Sequence, residues 1–165
     1  MTSRDTRTSV AEHRATGAIE GAVPNPAWMD KVLQQCQRDV ALAKAAIEHD
    51  NFKGAVTNAY DALRAAVECH MNASKLRIAN RTGAHIVAID YAAGRMIDIF
   101  SFDQVDEYDA LRRVRHAAEY AFSSTPHTRL TRADADAAIK LADDVVRGVI
   151  RWRINASKTR SQRHD

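Results

Sequence analysis

Aromatic side chains make up only 6% of this 165-residue chain, which also has just six glycines and three prolines. Sheet proteins draw on aromatic and β-branched residues and on Gly/Pro turns. Set beside abundant alanine, their scarcity argues against a sheet protein and for helix. The two cysteines, Cys36 and Cys69, are too few for a disulfide framework. Each falls among apolar helical positions and reads as a small core residue, with a single interhelical bridge as the alternative. No apolar run reaches about 18 residues, so no membrane span is expected. The N-terminus has no apolar segment of the secretory kind, which makes the cytoplasm the expected location. There is no Gly-rich phosphate loop and no nucleophile elbow. The seven histidines and two cysteines show no metal-ligand spacing, so neither metal nor cofactor is expected.

The chain does have length enough for one domain with a real core, 45% hydrophobic residues and a formal net charge of +3. That mild basicity permits nucleic-acid binding without demanding it. Residues 1–24 are polar and aperiodic and read as a disordered arm. Asn25-Pro26 then supplies a cap and a first-turn proline. A first helix runs to about Asp50, with Val32, Cys36, Val40, Ala43 and Ile47 on one side. A second, from Phe52 to about Ala79, turns Val56, Ala59, Leu63, Ala66, Val67 and His70 inward. After the turn Asn80-Arg81-Thr82-Gly83, a third helix spans about 84–100 and buries Ile86, Ile89, Ala93, Met96 or Ile97, and Phe100. Ser101 or Asp103 caps a fourth, which ends near Phe122. Thr131 with Asp134 forms a variant capping box for a fifth, which carries Ala138, Leu141, Val145, Val149 and Trp152 to about Asn155. A basic tail, 156–165, follows. The sum is an all-α, single-domain bundle of about five mostly antiparallel helices over 25–155.

The most informative stretch is Leu111-Arg112-Arg113-Val114-Arg115-His116-Ala117-Ala118-Glu119-Tyr120. At 100° per residue, Arg115 falls near the middle of the apolar stripe Val105, Tyr108, Leu111, Ala118 and Phe122. A guanidinium is always charged, so it needs a partner, an interface or a polar cleft there, or it snorkels to water. Glu119 has the i,i+4 spacing for an ion pair with it. Arg112 and His116 are also i,i+4 and can reach one phosphate, the imidazole for proton transfer and the guanidinium for charge; solvated side chains are the plain alternative. Tyr120 can meet His116, but a phenol is a poor base at neutral pH. His85 starts a helix beside a glycine turn. Arg147, Arg151 and Arg153, with the tail, could track a phosphate backbone or simply be a solvated helix end.

On two of these segments the chain resembles the HEPN family of small helical bundles. One is Ala55-Val56-Thr57-Asn58-Ala59-Tyr60-Asp61-Ala62-Leu63-Arg64-Ala65-Ala66 followed by Thr82-Gly83-Ala84-His85. The other is Leu111 to Tyr120, followed by a loop and the alanine-rich helix from Ala133 to Val149. The resemblance covers about residues 27–155. It implies a helical bundle and, for many members, metal-independent cleavage of RNA by an Arg and a His one turn or more further along, with two copies facing one cleft. Arg115 matches the motif arginine and His116 the polar position after it, while Tyr120 stands where a histidine is expected. The closer pair, Arg112 with His116, is one residue short of that spacing. His85 corresponds to a histidine that helps build the cleft or interface.

Two functions are therefore expected. In the first, the chain is a homodimeric RNA-directed protein, a ribonuclease or toxin of a prokaryotic toxin–antitoxin or phage-defence system, with Arg112, Arg115 and His116 on the phosphate and Glu119 and Tyr120 orienting them. In the second, it is a non-catalytic module that partners a nucleotidyltransferase, an antitoxin or another protein.

Overall fold

The helix boundaries follow from local chemistry. In the computed structural model, which describes residues 7–79, 82–119 and 130–161, helix α2 (Pro26–Glu48) starts where the Asn25 side chain accepts from the Trp28 N–H at 3.0 Å. Helix α3 (Phe52–Ala73) starts in the same way, with Asn51 accepting from the Gly54 N–H at 2.9 Å. Helix α5 (Phe102–Glu119) is capped by Ser101, whose hydroxyl accepts from the Gln104 N–H while the Gln104 side chain accepts from the Ser101 N–H. The Thr131–Asp134 box opens α6 (Arg132–Ser161) as the sequence suggests. Helix α4 (Ala84–Arg95) differs: Gly83 precedes it at φ 90°, a left-handed conformation that suits glycine, and offers no side chain to cap it.

The protein is an all-α bundle with one very small ribbon. Helix α3 is its centre and packs chiefly against α2 and α6, with α4 and α5 closing another side. Ala55, Ala59, Ala62 and Ala66 of α3 are fully buried, and such small side chains let neighbouring helices approach closely. The inward positions expected on α2, α3 and α6 are buried, except that Val32 and Trp152 are only partly so. Cys36 and Cys69 are both buried and free, and burial pushes each thiol up to about 12.

Several boundaries differ from expectation. Residues 10–21 are not a disordered arm. They form helix α1 (Val10–Ala15), opened by a Ser9–Glu12 capping box, and strand β1 (Ile19–Gly21). Strand β1 pairs antiparallel with β2 (Leu76–Ile78), with Ile19 opposite Ile78 and Gly21 opposite Leu76. Helix α3 therefore stops at Ala73 rather than near Ala79, turning through Ser74 and Lys75, the latter at φ 62°. Polar contacts also hold this segment: His13 Nε2 lies 2.8 Å from Asp90 Oδ2, and Arg7 reaches Asp106 at 3.0 Å and Asp90 at 3.8 Å. Helix α4 ends at Arg95, five residues early, so Ile97 turns outward while Met96 is buried; Ile86, expected inside, is also exposed. Helix α6 continues through the start of the expected basic tail to Ser161. The expected end of the fourth helix near Phe122, together with Tyr120 and His127, lies outside the described residues.

Candidate functional site

Tyr60 is the point on which the candidate residues converge. It lies on the apolar side of α3, between Val56 and Leu63, and is fully buried. Its hydroxyl is 2.7 Å from His85 Nδ1 at the start of α4. The Arg115 guanidinium, from α5, sits over its ring at 5.0 Å. Arg115 also reaches Asp61 Oδ1, the next residue of α3, at 3.3 Å. Three helices thus bring a phenol, an imidazole, a guanidinium and a carboxylate together. Arg115 is partly buried, with its side chain 19% exposed, so the stripe position read from the sequence does sink it against the bundle.

Burial raises the Tyr60 phenol to about 12, a rise moderated by the nearby charges of Arg64, Arg115 and Arg112. A phenol so far from ionising keeps its proton at neutral pH. Where it donates to a neutral His85, the ring's own proton is on Nε2, which fixes the tautomer. Behind it, Tyr108 packs its ring 5.8 Å from that of Tyr60 and 6.0 Å from Phe100. The arginines surrounding Tyr60 are themselves anchored. Arg112 Nε donates to Asp109 at 3.0 Å and Arg64 Nε to Glu68 at 2.9 Å. Arg113 shares Asp109 at 3.4 Å. Each of these guanidiniums is thus held by a carboxylate.

The structure therefore brings Arg115 and His85 onto Tyr60, with the charge of Arg112 also acting on its phenol, and puts His116 on the exposed surface of α5. The partner Arg115 shows is Asp61, across the helix interface; the side chain of Glu119, expected in that role, lies outside the described residues, as does Tyr120. Arg147 is exposed and bound to Asp143 of its own helix at 3.0 Å, and Arg151 is exposed on α6. Both belong to α6, whereas the Tyr60 cluster is built from α3, α4 and α5. Tyr60 and Asp61 were missed as site residues. The available signal was a tyrosine between the aliphatic inward positions Val56, Ala59 and Leu63. His70 is the core histidine it was read to be: its Nδ1 is 2.9 Å from the Tyr91 hydroxyl, and its ring lies 4.1 Å from that of Trp152. Among the described residues there is no group of three His, Cys, Asp or Glu placed to hold a metal, and no helix long and apolar enough to cross a membrane.

No protein-family model matches this chain, and no curated protein or solved structure matches it.

Proposed function

We propose that this protein is RNA-directed, a HEPN-like homodimeric endoribonuclease or RNA-binding toxin that acts through the α5 face bearing Arg112, Arg115 and His116. The observation that carries the reading is the convergence of Arg115 from α5 and His85 from α4 on Tyr60 of α3, with the charge of Arg112 also acting on its phenol. Cleavage next to a 2′-hydroxyl needs a base, an acid and positive charge at the phosphate. Arg112 and Arg115 supply the charge, with planar forks suited to phosphate oxygens. His116 and His85 supply the imidazoles that the proton transfers require. Tyr60 orients His85, and Asp61 and Asp109 restrain the two arginines.

The test is cleavage of labelled single-stranded and structured RNA in EDTA. The parent is expected to cut, and Arg115→Ala and His116→Ala are each expected to lower the rate by about 10²–10⁴-fold. Asp61 is half exposed and a single cation–π contact is modest, so Arg115→Ala should cost only about 1–2 kcal/mol of stability. Loss of cleavage then cannot be assigned to unfolding. Unimpaired cutting by both variants would refute the mechanism.

A second reading, a non-catalytic module that docks a nucleotidyltransferase, an antitoxin or another protein, is favoured by one specific observation. Every arginine of the α5 face for which a contact is described already has a carboxylate partner, as an interface pair would. A folded parent that binds RNA or a protein partner without cutting selects this reading.

A further inference from the structure

A cavity of about 490 Å³ opens at one end of the bundle, where the later part of α6 meets the start of α2 and the end of α3. Its lining is largely apolar, with Pro24, Pro26 and Met29 around the start of α2 and Trp152 from α6. The Trp152 ring lies 4.1 Å from that of the buried His70 and stays partly exposed. Two of the polar lining residues are already engaged. Arg153 pairs with Asp30 and donates to the Pro26 carbonyl at 3.0 Å, and the Ser157 hydroxyl donates to the Arg153 carbonyl at 3.0 Å. Lys75 is the lining charge that has no counter-ion among the described residues.

Lys75 also holds an uncommon backbone conformation. Its φ is 62°, in the left-handed region, where a Cβ crowds the following carbonyl. Helices often end on a residue of this kind, but it is usually glycine and sometimes asparagine. Asp50, the other non-glycine residue with positive φ among the described residues, has the short polar side chain that tolerates it. A lysine has no such compensation. The turn is pinned instead from outside, by the Ala22 N–H donating to the Lys75 carbonyl at 2.9 Å. A lysine at the end of α3 does answer the helix dipole, yet one placed a turn earlier would do so in ordinary helical geometry. Backbone strain that the surroundings hold in place gathers at functional sites.

We propose that this cavity binds a small aromatic monocarboxylate, with its ring against Trp152 and Met29 and its carboxylate on the Lys75 ammonium. The volume suits a small organic ligand, and an apolar lining with one convergent charge is the pattern of a site for an apolar body carrying one ionised group. A single uncompensated cation sets the ligand's charge at one, because the Arg153 guanidinium is already answered by Asp30. The indole favours a ring over a plain chain, since paired aromatic rings gain more than the area they bury. The site stands apart from the RNA reading: it is built from α2, α6 and the end of α3 and not from the α5 face, so either can fail without the other.

Trp152 fluorescence, isolated in a Trp28→Phe protein, is the readout, with benzoate and 3-phenylpropionate as probes and 3-phenylpropionamide and acetate as the separate parts. A saturable change with a Kd below about 1 mM is expected for 3-phenylpropionate, at least about tenfold tighter than for either part. Lys75→Gly should weaken 3-phenylpropionate about tenfold and leave the amide unchanged. The same variant should raise Tm, because glycine takes the left-handed conformation at no steric cost. Weaker binding by a more stable protein is a result that damage to the fold cannot produce. No saturable binding of either acid below about 1 mM, equal affinity for acid and amide, unchanged affinity in Lys75→Gly, or a lower Tm of that variant would each overturn the proposal.

Discussion

Burial decides the charge state of individual side chains in this bundle, and His70 is the clearest case. Its ring is 6% exposed, and burial lowers its pKa to about 4 from an ordinary 6.5. The open chain therefore takes up a proton at a pH where the folded chain does not. The stability that a neutral His70 contributes is complete above pH 6.5 and drains away as the pH falls through 6.5 toward 4, by about 2 kcal/mol at pH 4.5. Urea unfolding of the parent at pH 7 and pH 4.5 should show that loss. His70→Gln, which does not titrate, should show a smaller pH dependence by a similar amount, and parallel pH profiles would contradict it. The same physics acts on Tyr60 in the opposite sense. Burial there favours the neutral phenol, so the residue at the centre of the candidate site works as a hydrogen-bond partner and a ring surface rather than as a base.

At the scale of elements, the N-terminal segment is the one whose structure its own sequence does least to reveal. Helix α1 has six residues and β1 three, and pieces this short are marginal alone. They persist because Val10 and Ile19 are buried and because His13 and Arg7 meet Asp90. Ile19 is 2% exposed, so Ile19→Ala should cost about 2–4 kcal/mol in urea unfolding. A loss under about 0.5 kcal/mol, the range of an ordinary surface change, would mean that the segment is dispensable to the fold. The longer helices needed no such help to be found. Asn25 and Thr131 announce two of their starts, and apolar residues recur every three or four positions behind them. Their ends were harder to place. The turn at Ser74–Lys75 carries no glycine or proline, and it is the pairing of β2 with a strand far upstream, Ile78 with Ile19, that fixes it. Ile86 misled for a related reason: α4 is covered along Val87, Ala88, Tyr91 and Ala92, and periodicity tells which residues share a face but not which face is covered.

Across the whole molecule, close packing around α3 sets both the stability and the geometry of the site. Ala66 is fully buried in that central helix. Enlarging it to leucine should cost about 1–3 kcal/mol despite leucine's good helix propensity, since the neighbouring helices would have to move apart. Ala41→Leu, on the exposed side of α2, should stay within about 0.5 kcal/mol of the parent. Thermal unfolding of the two variants side by side checks this, and equal effects would mean that the interior is loosely packed. The same spacing delivers His85 and Arg115 to opposite parts of Tyr60, so a variant that spreads α3 from α4 and α5 should disturb that cluster as well.

The order of amino acids by itself determined the class of the protein, because alanine abundance, scarce glycine and 3.6-residue periodicity are local properties that hold whatever the neighbours are. It also marked Arg115 as a charge on an apolar stripe that had to be answered. Which residues answer it was decided only by tertiary structure. Asp61 and Tyr60 stand more than fifty positions away, and helix periodicity carries no information about contacts between helices. The union of Tyr60 with His85 and the ribbon formed by β1 and β2 have the same origin. Each depends on side chains from separate elements meeting at a distance of a few ångströms, which only the packing of one helix against another can set.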